Sequence, residues 1–249
     1  IQQEVKIMLF LPESLQPAYT TTNEKWRWAR NITMGAKRVL TVAGSGDQAL
    51  TYILSGATHV DTYDITRCAH IIQDIKTTAI QLLPQPEYIK LIQELHHTTN
   101  LLKLASMAPI IKHMPTETIA EIHKYADIIS FYRGAAIARP ENQFTDIEYA
   151  HLKSVITKPF KFYLGSIDNL YTQLTDKYDL IDTSNIFDYG AVNITKTLAS
   201  LLPHIRIGGR LIYLPQNKNR NYDKYIELKS GERLEYETTK ILPHTAQMI

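Results

Sequence analysis

The hydrophobic pattern first organises at Arg38–Ala43 (RVLTVA), a short, mostly apolar run that ends in Gly44–Ser45–Gly46. Such a run with a glycine turn behind it predicts a buried strand and a tight turn. From Asp47 to Ser55 the apolar residues fall at helical spacing, and Gly56 lies where a helix end accepts glycine. Thr58–Tyr63 (THVDTY) predicts a second strand that ends at Asp64. Strand, turn, helix and strand in this order form the smallest βαβ unit.

A long stretch of helical periodicity follows, over 66–83, 86–97, 100–113, 116–130 and 146–157. Thr145 and Glu148 have the spacing of a capping box at the start of the last helix. Residues 131–143 (FYRGAAIARPENQ) between the last two helices predict a polar loop. Strand patterns return at 160–164 and 178–182, a helix at 190–202, a turn at Ile207–Arg210 and a fifth strand at 211–214. Alternating stretches in 223–249 predict two closing antiparallel strands. This alternation predicts an α/β fold, a doubly wound, Rossmann-like and mostly parallel sheet. The 96 residues from Asp64 to Phe160 exceed what one crossover helix needs, so a helical insertion is expected after the second strand. The organisation is read as a helical preamble (1–36), a sheet domain (37–83 and 158–249) and an inserted helical cap (84–157).

A chain of 249 residues with 44% hydrophobic and 21% charged residues can bury a sufficient core without covalent staples. The lone Cys68 has no disulfide partner and no zinc-spaced Cys or His, which points to a reducing, cytoplasmic setting. A net charge of +2, with scattered basic residues, is read as excluding nucleic acid, which usually requires a strongly basic face. No apolar stretch approaches the roughly 20 residues of an integral membrane segment, and Ile1–Leu11 is too short and polar for a secretory signal. The nine histidines lack ligand spacing, since His96 and His97 are adjacent and His113 and His123 have no partner at i+4. No metal is expected. No nucleophile elbow, phosphate-binding P-loop or H-E-x-x-H motif occurs.

The chemistry is expected at Gly44–Ser45–Gly46–Asp47. A glycine turn between strand and helix brings backbone close to a ligand and presents unpaired helix N–H groups at the carboxyl edge of the sheet. Asp64 follows the first glycine by 20 residues, where a carboxylate can accept both hydroxyls of a ribose. Two cofactor classes fit this spacing: a dinucleotide, and a nucleoside that ends in an amino acid. Asp47 favours the second, because its charge would repel a pyrophosphate but accept from an ammonium group.

The stretches VLTVAGSGDQAL and HVDTYDI resemble motifs I and II of class I S-adenosylmethionine (SAM)-dependent methyltransferases. YDLIDTSNIFDY resembles their motif IV, and LLPHIRIGGRLIYL the helix and strand after it. With TTNEKW ahead of the first strand and the long insertion, the pattern is similar to bacterial proteins related to betaine lipid synthases, whose enzymes move the 3-amino-3-carboxypropyl group of SAM. The resemblance implies SAM as cofactor, with Gly44, Ser45, Gly46 and Asp47 around its methionine part. It also implies Asp64 on the ribose, Ile65 by the adenine, and Ser166 and Ile167 near the adenine amine. Asp182, Ser184 and Asn185 would line the floor beside the sulfonium, and Thr22 and Asn23 would close over the cofactor.

Candidate catalytic residues are Asp182, Asn185 and Tyr189, directly after a buried strand. Helix capping by Ser184 or Asn185 is the plainer alternative. Arg133, Arg139 and Asn142 are candidates for binding an acidic acceptor or the cofactor's carboxylate, because arginine forks match carboxylates, with a solvated loop face as the plainer alternative. The expected function is methyl transfer to a small-molecule acceptor. Aminocarboxypropyl transfer and non-catalytic SAM binding remain alternatives.

Overall fold

The computed structural model describes residues 13–22, 35–95, 98, 100–132, 143–189, 194–213 and 226–229. Its centre is a six-stranded sheet built from β2 (Arg38–Val42), β3 (His59–Asp64), β5 (Lys161–Leu164), β6 (Tyr178–Asp182), β7 (Ile205–Tyr213) and β8 (Ile226–Lys229), in the order β5-β3-β2-β6-β7-β8. All neighbours are parallel except β7 and β8. This is the doubly wound, Rossmann-like sheet of the expected class. The antiparallel strand after β7 takes the place of the sixth parallel strand in a dinucleotide-binding sheet.

Alternate side chains of the central strands enter two cores, as strand geometry requires. Val39, Val60 and Leu180 pack with Ala49 and Tyr52 of helix α1 (Asp47–Leu54). Leu40, Tyr63 and Ile181 pack with Ile167, Leu198 and Leu201, the last two on a C-terminal helix at Ile194–Leu201. Helix α2 (Arg67–Leu82) follows Thr66, whose side chain accepts from the Cys68 N–H at 3.2 Å. α2 is enclosed on nearly every side: Gln73, Asp74 and Lys76 are all 0% exposed. What encloses it is the helical insertion. Helices α3 (Gln85–Leu95), α4 (Thr116–Tyr125) and α5 (Asp146–Val155) share one continuous core with α1 and α2, through Leu50, Ile72, Leu91, Ile122 and Leu152. The capping box forms as its spacing predicts, with Thr145 accepting from Glu148 N–H and Glu148 from Thr145 N–H. The last helix, Ile194–Leu201, is α6.

Three stretches differ from the sequence reading. The helix expected over 100–113 is broken into 3₁₀ turns at Leu101–Lys103 and Ala105–Met107 and a short helix at Ala108–Ile111. Asn100 caps the first turn by accepting from Leu102 N–H, and Pro109 is compatible only with the start of a new helical segment. The turn expected at Ile207–Arg210 lies inside strand β7, where Gly208 at φ 78° accommodates a register shift against β6. The preamble and the 131–143 loop contribute a pair of two-residue parallel strands, β1 (Ala18–Tyr19) and β4 (Phe131–Tyr132). One closing strand, β8, is described at Ile226–Lys229, and the stretches expected at 233–236 and 241 lie outside the described residues. Among the described residues, no helix is long and apolar enough to cross a membrane.

Candidate functional site

From β2 the chain order runs outward in both directions, to β3 on one side and β6 on the other, which opens a crevice at the carboxyl ends of these strands. The glycine corner sits at that point. Gly46 has φ 82°, and a Cβ there would lie 3.2 Å from the Gln73 Cα, so α1 starts directly against α2. Only glycine meets both demands without strain.

Asp64 closes the other side of the corner. Its Oδ2 accepts the Gly44 N–H at 3.0 Å and its Oδ1 the Thr66 N–H at 3.1 Å. Burial pushes its carboxyl up to about 6, against the pull of these backbone bonds. A carboxylate has about four acceptor positions, so the half-buried Asp64 keeps capacity for further donors. Ile65 beside it is 40% exposed and offers an apolar surface at the rim. The Gly165 N–H donates to the Asp64 carbonyl at 2.8 Å, which lays the 165–167 segment alongside.

Asp47 is placed at the corner, but not as a waiting acceptor. Its Oδ2 accepts from Thr22 N–H at 2.8 Å and Ser45 Oγ at 3.1 Å, and its Oδ1 accepts from Lys76 Nζ at 2.5 Å. Lys76 is wholly buried, and burial lowers its pKa while the Asp47 charge opposes that shift. The pair changes the electrostatic argument. A carboxylate neutralised by a lysine no longer repels a pyrophosphate strongly, so Asp47 alone does not separate the two cofactor classes.

Asp182, expected near the reacting groups, is 0% exposed. Its carboxylate accepts from the Tyr52 hydroxyl, from Thr41 Oγ1 at 3.4 Å and from Ser184 N–H at 2.8 Å, and burial raises its pKa. It organises the end of β6 and has no face toward an acceptor, so a catalytic role does not fit its placement. Ser184 follows in the left-handed region at φ 48°, a strained conformation for a residue with a side chain. Its Oγ contacts the half-buried Asn185 amide oxygen at 3.3 Å.

The other expected residues divide. Thr22 reaches the corner through its backbone, and its hydroxyl accepts from Gln48 Nε2 at 3.3 Å. Ser166 is half-buried at the start of a short turn, whereas the Ile167 side chain is 2% exposed in the core, where it cannot flank an adenine. Asp168 accepts from the Thr197 hydroxyl and ties the segment to α6. Tyr189 ends a 3₁₀ turn at Ile186–Tyr189, but its side chain lies outside the described residues, as do Asn23, Arg133, Arg139 and Asn142 entirely.

Sequence reasoning missed Lys76, Tyr52 and a cleft. The cleft is a small one of about 50 Å³ behind Asp47, between Thr21, α3, α5 and Phe144. Among the described residues no group of three His, Cys, Asp or Glu could hold a metal ion.

No protein-family model and no curated protein matches the chain. Two solved structures share its outline, both of the "rRNA methyltransferase aviRa from Streptomyces viridochromogenes". One, at 1.5 Å, is 10% identical, with 89% of this chain and 91% of that chain covered and a TM-score of 0.45. The other, at 2.4 Å, is also 10% identical, with 86% and 82% covered and a TM-score of 0.44. Both are named for ribosomal RNA. The exclusion of nucleic acid, and with it the small-molecule acceptor, is therefore withdrawn. Net charge averages over all faces of a protein, so a value of +2 carries no information about any one of them.

Proposed function

We propose that this chain is a SAM-dependent transferase that moves the methyl group. One observation supports this most: the Asp64 carboxylate is hooked onto the Gly44 N–H at 3.0 Å and has acceptor capacity left over at the crevice. Asp64 would take the ribose hydroxyls, the Gly44–Gly46 backbone would face the methionine part, and Ile65 would cover the adenine. When bound, SAM supplies an already activated carbon on a sulfonium.

The chain's own task is then alignment and exclusion of water. Asp182 is too well satisfied to collect a proton. The Asn185 amide can orient an acceptor but cannot serve as a base. Catalysis by positioning fits these residues better than general-base catalysis.

A second reading, transfer of the aminocarboxypropyl arm, is favoured by one feature. The cleft opens beside Asp47, on the side where the methionine part would lie. Calorimetric titration with SAM tests the cofactor assignment. Wild-type binding that disappears in Asp64→Ala supports it, and equal affinity of the two proteins rejects it. Product analysis separates the readings, with S-adenosylhomocysteine marking methyl transfer and methylthioadenosine marking arm transfer.

A further inference from the structure

A ligand gripped at the glycine corner and at Asp64 has a direction. The corner follows β2, Asp64 ends β3, and β5 is the next strand outward. Leu164, the last residue of β5, stands in register with Asp64, and the Gly165 N–H donates to the Asp64 carbonyl at 2.8 Å. Adjacent strands lie about 4.8 Å apart, close to the step from a ribose to the middle of its base. A nucleoside with its ribose on Asp64 and its amino-acid arm over β2 therefore places its base over the tip of β5.

Few polar groups wait at that tip. Ile167 is buried in the core, and Asp168 is engaged by the Thr197 hydroxyl. Gln173 is different. After the short turn at Ile167–Leu170 the chain doubles back, with the Gln173 N–H donating to the Leu170 carbonyl at 2.9 Å. Leu170 and Leu174 enter the core, so Gln173 between them is turned outward and exposed. Its Nε2 donates to the Leu164 carbonyl at 3.3 Å, at the end of the strand. A Cβ on Gly165 would lie 3.0 Å from that nitrogen, so glycine at 165 makes room for the amide. A carbonyl can only accept, and the bond therefore fixes which branch of the amide is nitrogen. One N–H and the oxygen remain, with no bonding partner among the described residues.

We infer that Gln173 is the base-specificity residue of the cofactor site, its oxygen accepting from an exocyclic amine and its remaining N–H donating to the neighbouring ring nitrogen. The inference rests on the cofactor reading, because the ribose on Asp64 sets where the base lies. A primary amide matches the amine-and-nitrogen edge of adenine in this way. In hypoxanthine a carbonyl oxygen replaces the amine, and Oε1 would face a second acceptor. Turning the amide over would relieve that clash only by giving up the Leu164 bond. Ile65, 40% exposed on the neighbouring tip, is left to cover the face of the ring.

The test is calorimetry of the full chain with S-adenosylhomocysteine and with S-inosylhomocysteine, its deaminated counterpart. Wild type should prefer the adenosyl compound by about tenfold or more, the range of one bidentate contact. Gln173→Leu, at an exposed position, keeps the stem and removes the amide. It should weaken the adenosyl compound alone and bring the two affinities within about twofold. Gly165→Ala should displace the amide and lower the same ratio, with no further change when it is added to Gln173→Leu. A wild type that binds the two compounds equally, or a Gln173→Leu variant that keeps the wild-type ratio, overturns the assignment. An equal loss of both compounds in Gln173→Leu, the mark of a merely structural role, overturns it too. Failure of the cofactor reading looks different: neither compound binds the wild type at all, and the role of Gln173 falls with it.

Discussion

β3 and β6 flank the same strand and both end in aspartate at the same edge of the sheet, yet the two tips are built for different work. Asp64 is held only by backbone N–H groups at its rim and stays half-buried. Asp182 accepts from hydroxyls of α1 and β2 and from the Ser184 N–H, and none of its surface is exposed. A strand-tip carboxylate is thus a ligand group only where its neighbours leave lone pairs facing out. Where side chains reach in and take them, the same residue becomes part of the frame. Asp47 falls in the second class, because Lys76 has taken it.

The largest expected effect breaks the frame. Lys76→Met leaves the Asp47 charge buried without its cation and should lower stability by about 3–5 kcal/mol in denaturant unfolding. Adding Asp47→Asn should recover much of the loss, since the unpaired charge is then gone. Next comes a crossed pair at the two tips. Asp64→Ala should weaken SAM binding about 100-fold or more, through the loss of hydrogen bonds to a charged acceptor. Asp182→Ala should cost about 2–4 kcal/mol of stability, because buried hydroxyls lose their acceptor. If Asp182→Ala loses SAM affinity as severely as Asp64→Ala while remaining folded, the division between the tips is wrong.

A smaller effect is titration. Asp64 has a carboxyl pushed up to about 6 by burial, and the ionised form accepts the ribose hydroxyls. SAM affinity should therefore be flat above pH 7 and fall about tenfold per unit below pH 6. The free protein moves the other way. Because the folded carboxyl holds its proton more tightly than the unfolded one, the Asp64 contribution to stability is greatest at low pH and is lost as the pH rises through 6. Affinity that stays constant from pH 7 to 5 would mean that Asp64 does not carry the cofactor.

The parts legible in the sequence were those encoded locally. RVLTVAGSGDQAL specifies strand, corner and helix within one short segment, and Asp64 at the end of the next run follows from strand length alone. The capping box at Thr145 and Glu148 is equally local, and it forms. What the sequence concealed is long-range. Lys76 lies 29 residues from Asp47 on a helix whose other buried positions are largely apolar, and nothing in its neighbourhood marks it as a partner. The only available signal was its position on the α2 face that also carries Ile72, Gln73 and Ile80. Tyr52 reaches Asp182 across 130 residues, so Asp182 looked like a site residue simply because it ends a strand. The β1–β4 pair joins segments more than 110 residues apart through two residues each, too few to leave a period in the pattern.

The smallest test isolates one hydroxyl. Tyr52 is 1% exposed on α1 and packs against Val39 and Val60, so Tyr52→Phe preserves the ring and its contacts and removes only the donor. Asp182 would keep the Ser184 N–H and the longer Thr41 bond, and Phe leaves no cavity of its own. The expected loss is about 1–2 kcal/mol in denaturant unfolding, the cost of depriving a buried carboxylate of one charge-assisted bond. SAM affinity should stay within about twofold, well under the 1.36 kcal/mol that a tenfold change requires. A larger loss of affinity at unchanged stability would mean that the Asp182 network is felt at the crevice after all. The two strand tips would then act as one electrostatic unit, with Tyr63 as the bridge, since its buried hydroxyl lies in the field of both Asp182 and Asp64.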